Sequence, residues 1–309
     1  MAAQFMAAVR KHYPRPDDVP SITIVPFEKG DRNALITELG SSKYTFPTTR
    51  PIIEMTGEVI VVSYPGTVTI NCLSLDYVPL HKLKRVARRL KCILDIFQQG
   101  SPITIWFIPD PAARLMPENS GAPILAHHIN GAYTYFHQHT IFVYRLEEFP
   151  KVMLHEMLHN TSINTASWPP SEGRRLSVAL LGERTVVQVD PNEAIVETWA
   201  QMFQCLFISY ENKMPFQELL DVEQRWGENQ AFKLYAHFKR TKWSEKTNSF
   251  SYIVLRTILL KNLDGFLKLA RPYVASDVTN FVIGCLPFKY GKYTNEQQRS
   301  LRMSWFGDL

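Results

Sequence analysis

The spacing of the apolar residues changes along the chain, and that change limits the fold more than any other feature. Up to about residue 145, β-branched and aromatic residues come in short runs punctuated by Pro and Gly, apart from one helical stretch near residues 80 to 98. Strand patterns lie mostly before residue 160 and helical patterns mostly after it. Strands first and helices later predict an α+β chain of two lobes. At 309 residues and 45% hydrophobic, the chain is long and apolar enough to bury a substantial core.

Individual segments follow from local signals. "GEVIVVSYPGTVTINCLSL" reads as a hairpin, with runs Glu58 to Val62 and Thr67 to Leu73 flanking a Tyr64-Pro65-Gly66 turn. A basic amphipathic helix over 80 to 98, the strand "PITIWFIP" and a second hairpin, "NGAYTYFHQHTIFVYR", come next. Pro150 opens a helix whose apolar stripe is Val152, Met153, Leu154, Met157 and Leu158. Residues 162 to 190 read as a loop-rich insertion with a short strand at Thr185 to Val189. Asp190 as N-cap and Pro191 in the first turn then start another helix. The expected division is an N-terminal wrap over 1–50, a sheet lobe over 51–163 and a helical lobe over 164–309.

Composition removes several function classes. The four cysteines, Cys72, Cys92, Cys205 and Cys285, are scattered without a CxxC pair, which argues against a disulfide scaffold or a thiolate zinc finger. "MAAQFMAAVRKHYPRP" lacks the layout of a signal peptide, and no apolar run reaches the length of a membrane span. An intracellular setting, cytoplasmic or in a virion, is expected, with no membrane partner. The net charge of +5 is mild and densest in "HKLKRVARRLKC", which reads as a solvated helix face ahead of a nucleic-acid surface. No GxxxxGK[ST], GxGxxG or GxSxG motif is present.

The segment "EEFPKVMLHEMLHNTS" carries the chemistry. His155 and His159 stand four apart on one face of the expected helix, at a spacing where both rings can reach one ion. Glu156 is rotated about 100° from His155, beside the ion rather than on it, where a base acting on a water belongs. Chance alone yields HExxH in about one such chain per hundred. Its apolar x positions and its helical context raise the reading above that rate.

An open zinc site needs a third protein ligand. Ser162 and Thr165 stand where HExxHxxGxxH requires Gly and His, so a three-histidine set is excluded. Glu193 and Glu197 form an i, i+4 pair on the Asp190 helix. One could bind metal while the other fixes a ligand imidazole. Asp190-Pro191-Asn192-Glu193 is equally a capping-box spacing, which alone would account for Glu193.

His155, Glu156 and His159, followed by Asn192-Glu193-xxx-Glu197, resemble the zincin metallopeptidases, and in particular their gluzincin branch. The resemblance covers roughly residues 57 to 210. "IFVYRLEEFPKVMLHEMLH" is also similar to HExxH proteins encoded by large DNA viruses. The gap from His159 to Glu193 is longer than in thermolysin-like enzymes and nearer that of clostridial neurotoxin proteases, which keeps Glu197 and Asp190 open as substitute ligands. The resemblance implies a zincin-like α+β fold, one Zn2+ per chain held by His155, His159 and Glu193, Glu197 behind them, and Glu156 as general base. It implies a protein or peptide substrate pairing along residues 130 to 135, and an oxyanion donor for which Tyr252, Arg256 and His237 are candidates. The alternative is a zincin fold kept as a zinc-binding structural or partner-binding protein with little turnover. His127-His128 and His137/His139 are competing clusters, read as loop and turn residues.

Overall fold

A computed structural model describes residues 2–42, 45–74, 78–135, 138–163, 168–182, 189–238, 243, 245–288 and 299–309. In chain order the elements are α1 (Ala2–His12), β1 (Ser21–Pro26), α2 (Lys29–Ser41), α3 (Thr49–Met55), β2 (Glu58–Tyr64), β3 (Val68–Cys72), α4 (Leu80–Ile96) and β4 (Ile103–Phe107). Then come α5 (Ala126–Ile129), β5 (Ala132–Thr134), β6 (Thr140–Val143), α6 (Phe149–His159), α7 (Pro170–Leu181), α8 (Pro191–Asn212) and α9 (Phe216–Phe238). A π-helical turn (Phe250–Leu255) leads into α10 (Arg256–Lys261), α11 (Leu263–Phe266) and α12 (Ala275–Gly284). The chain forms two compact units: one of residues 7–113, 130–161 and 307–309, the other of 1–6, 114–129 and 162–306.

The first unit is built on one mixed sheet of order β1-β2-β3-β4-β6-β5. Gly66 turns the β2–β3 hairpin with φ +71°, a conformation that suits a residue without a Cβ. β3 pairs parallel with β4, and α4 supplies the crossover that a parallel pair requires. Strand alternation places Val62, Ile70, Ile105 and Ile141 in one register row, all fully buried. Leu83, Val86, Ala87, Leu90, Ile93 and Leu94 give α4 its buried side, and α4 packs against β2, β3 and α6.

The opposite row, Val61, Trp106, Phe142 and Tyr133, is part of a second cluster with Phe27, Leu35, Leu39 and Ile53. Residues 1–50 are therefore not an irregular wrap: they supply the edge strand β1 and helices that cover this side. Pro and Gly scattered through the segment hide α2, whose buried contribution is little more than the i, i+4 pair Leu35 and Leu39. The basic face of α4 is also only partly solvated. Arg89 is fully buried, and Arg88 donates to the carbonyls of Pro14 and Arg15.

The second unit is helical. α8 is buried nearly all round, with Trp199, Phe203 and Phe207 stacked along it at centroid spacings of 5.8 and 6.0 Å. The expected loop-rich insertion holds α7, opened by Pro170, while most of its expected strand, residues 185–188, lies outside the described residues. Residues 299–306 are held in this unit through their backbone, as the Arg302 carbonyl accepts from Gln230 and Trp226 and the Met303 carbonyl from Arg256.

Candidate metal centre

α6 begins where the sequence places it, with Pro150 in its first turn, and ends on its second motif histidine. Every residue from Phe149 to Leu158 is buried, His155 and Glu156 among them at 6% and 7% exposure. The Asn160 side chain donates to the Glu156 carbonyl at 3.1 Å, and the Thr161 hydroxyl to the Leu158 carbonyl at 2.7 Å. Both close the last turn, where carbonyls lack helical partners.

The two imidazoles converge. The Nε2 atoms of His155 and His159 lie 3.1 Å apart, with ring planes 74° to one another. Two nitrogens bound at about 2.05 Å to one tetrahedral zinc stand about 3.3 Å apart, so this pair fits a shared ion. The same distance fits an imidazole–imidazole hydrogen bond in which one Nε2–H donates. Glu156 sits between them in sequence, on the adjoining strip of the helix.

The second motif lies in the other unit, on the first turns of α8. Asp190 caps this helix as expected, its Oδ1 accepting from the Asn192 N–H at 3.0 Å. The Asp190 N–H donates to the Ser251 hydroxyl at 3.2 Å, a bond that a capping box would give to the Glu193 carboxylate. Glu193 is half-buried and Glu197 fully buried, one helical turn on.

Among the remaining candidates, Arg256 and His237 hold the fold together. The buried Arg256 guanidinium donates to the carbonyls of Tyr252 and Met303, and the His237 Nε2–H to that of Ala122. Tyr252 is half-buried on the π-helical turn, a rare geometry that often marks functional positions. His128 is taken up locally, its Nδ1 accepting from the Leu125 N–H. His139 adopts the left-handed region at φ 52°, and His137 lies outside the described residues. β5, the strand expected to face a peptide, stands at an edge of the sheet. Cys72, Cys92, Cys205 and Cys285 are free thiols, and burial pushes Cys72 up to about 12, far from a reactive thiolate.

Sequence reading missed what holds the front of α6. Glu148, its N-cap, provides no side-chain cap bond, and its N–H donates to Asp308, 160 positions along the chain. The only local hint is negative: "RLEEFP" contains no Ser, Thr, Asn or Asp to cap the helix. Among the described residues no helix is long and apolar enough to cross a membrane. Comparison of the chain with family models, curated proteins and solved structures finds no match.

Proposed function

We propose that the chain is a zinc-dependent peptidase of zincin-like, gluzincin type, with one Zn2+ held by His155, His159 and Glu193. The observation that carries this reading is the converging pair of ε nitrogens 3.1 Å apart on a buried helix, with Glu156 between them in sequence. A hard-and-borderline donor set of two imidazoles and one carboxylate suits zinc and leaves a fourth position open.

Zinc so held would supply an acidified water and polarise the scissile carbonyl. Glu156 receives the proton of the attacking water and returns it to the leaving amine. Glu197 accepts from a ligand imidazole and fixes its tautomer, and Tyr252 donates to the developing oxyanion. An extended peptide pairs along β5, an edge strand of the sheet. Four free cysteines and the absence of a membrane-spanning helix among the described residues accord with an intracellular or virion setting.

The test is cleavage of a mixed peptide library by the zinc-loaded chain, read by mass spectrometry, with Glu156→Gln in parallel. Cleavage by the wild type, reduced at least a thousandfold in Glu156→Gln at unchanged zinc content, is the expected result. Zinc bound without cleavage by either protein would return the chain to a structural role. Equal cleavage by both would remove Glu156 from the chemistry.

A further inference from the structure

A helix leaves its first N–H groups without helical partners, and the front of α6 meets this in an unusual way. Pro150 has no N–H, and the Phe149 N–H donates to the Leu146 carbonyl at 3.2 Å. The Lys151 N–H is oriented to the Gly307 carbonyl at 3.4 Å, and the Glu148 N–H donates to Asp308 Oδ1 at 2.7 Å. Val152, bonded to the Glu148 carbonyl, starts the helical ladder. Of the N–H groups of Glu148, Phe149 and Lys151, two are bonded by residues 307 and 308.

Charge and space fit the same pairing. A carboxylate at a helix N-terminus is favoured by the helix dipole. Lys82 of α4 donates to the Asp308 carbonyl at 3.1 Å and holds the residue in place. A Cβ at Gly307 would come within 2.7 Å of Glu148 Cγ and 2.8 Å of its Oε1, and the Glu148 side chain is fully buried. Only glycine lets the segment approach this closely.

Residues 304–306 are tied within the helical unit. Glu223, fully buried, accepts from the Ser304 hydroxyl at 2.7 Å and from the N–H groups of Trp305 and Phe306 at 3.1 and 2.8 Å. Gln204 donates to the Phe306 carbonyl at 2.8 Å.

We propose that Gly307 and Asp308 position α6, and with it the His155–Glu156–His159 turn, as an N-cap delivered from the far end of the sequence. The effect on the metal rests on the zinc reading above, whereas the capping of α6 does not. Asp308 is a positioning residue, since it acts on the site only through the helix.

The experiment uses the full chain as wild type, Asp308→Ala, Asp308→Asn and Gly307→Ala, with the core truncation Val282→Ala as a destabilised control. Amide exchange is followed at Glu148 and Lys151 against Leu90 of α4, and zinc affinity is measured by competition with a chelator. Asp308→Ala should speed exchange at Glu148 and Lys151 about fivefold over any change at Leu90, the size of a lost N-cap. Gly307→Ala should do the same, and Asp308→Asn, which keeps the acceptor oxygen, should recover most of the protection. Zinc affinity should fall severalfold in Asp308→Ala and hold in Val282→Ala. Unchanged exchange in both Asp308→Ala and Gly307→Ala would overturn the proposal, as would equal zinc losses in Asp308→Ala and Val282→Ala. Faster exchange at Glu148 and Lys151 in Asp308→Ala, with a wild type that binds no zinc, would uphold the positioning and overturn the metal reading, so the two failures are distinct.

Discussion

α6 and α8 carry the two halves of the proposed site, and they are built on opposite plans. α8 runs 22 residues, is capped by the residue just before it and is buried nearly all round. α6 runs 11 residues, receives no side-chain cap from its neighbours and takes its first-turn partners from Gly307 and Asp308. An isolated helix as short as α6 is marginal in water, so its order depends on what packs and caps it. A long self-capped helix provides a fixed carboxylate pair, whereas a short helix capped from a distance can be loosened without touching a ligand. The π-helical turn follows the α8 plan, since Glu245, five residues upstream, accepts from the Phe250 N–H at 3.0 Å and from the Ser249 hydroxyl.

The largest expected effect lies in the core of α8. Trp199→Ala removes a fully buried ring stacked on Phe203 and bonded to the Tyr273 hydroxyl, and should cost about 4 kcal/mol in denaturant unfolding. Leu154→Ala in α6 should cost about 3 kcal/mol. A cost near zero there would mean that packing contributes little to α6 and that the contrast drawn here fails.

The effect of pH comes next. Burial pushes the Glu245 carboxyl up to about 7, against the opposing hydrogen bonds from Ser249 and Phe250. Its folded form therefore holds the proton more tightly than the unfolded chain does. Stability from this group is complete below the unfolded value of 4.5 and is lost as pH rises through about 7, by at most about 3 kcal/mol. Melting curves between pH 5 and 8 should show this decline, and Glu245→Gln should flatten it. The smallest effect is at the α8 cap: Asp190→Ala should cost about 1 kcal/mol, and Asp190→Gly only a few tenths. Equal losses for the two would mean that the Asp190 side chain contributes more than its cap bond to Asn192.

How much of this was legible in the sequence follows the same division. The β2–β3 hairpin, the α4 helix, the starts of α6 and α8 and the Asp190 cap all rest on neighbours within a few residues, and each was readable. So was the approach of His155 to His159, which helix geometry alone dictates. β1, α2 and α3 were not, because their stabilisation comes from a sheet face assembled later in the chain. α7 was hidden because Leu176 is its only large apolar side chain that is fully buried, so its apolar spacing is faint despite Pro170 at its start. The Asp308 cap leaves one local trace, the lack of a capping residue in "RLEEFP". Asp190 caps α8 through the Asn192 N–H, and its own N–H donates to the distant Ser251 hydroxyl, a partner with no local signal.

The central claim is that the α6 histidines and the α8 glutamate serve one ion. Zinc content by elemental analysis, joined to zinc-edge X-ray absorption on wild type, His155→Ala and Glu193→Ala, tests it most directly. The account expects about one zinc per wild-type chain, with two imidazoles in its shell, loss of the metal in His155→Ala and weakened retention in Glu193→Ala. A folded wild type that takes up no zinc would contradict it, and the 3.1 Å between the ring nitrogens would then be a hydrogen bond between two histidines.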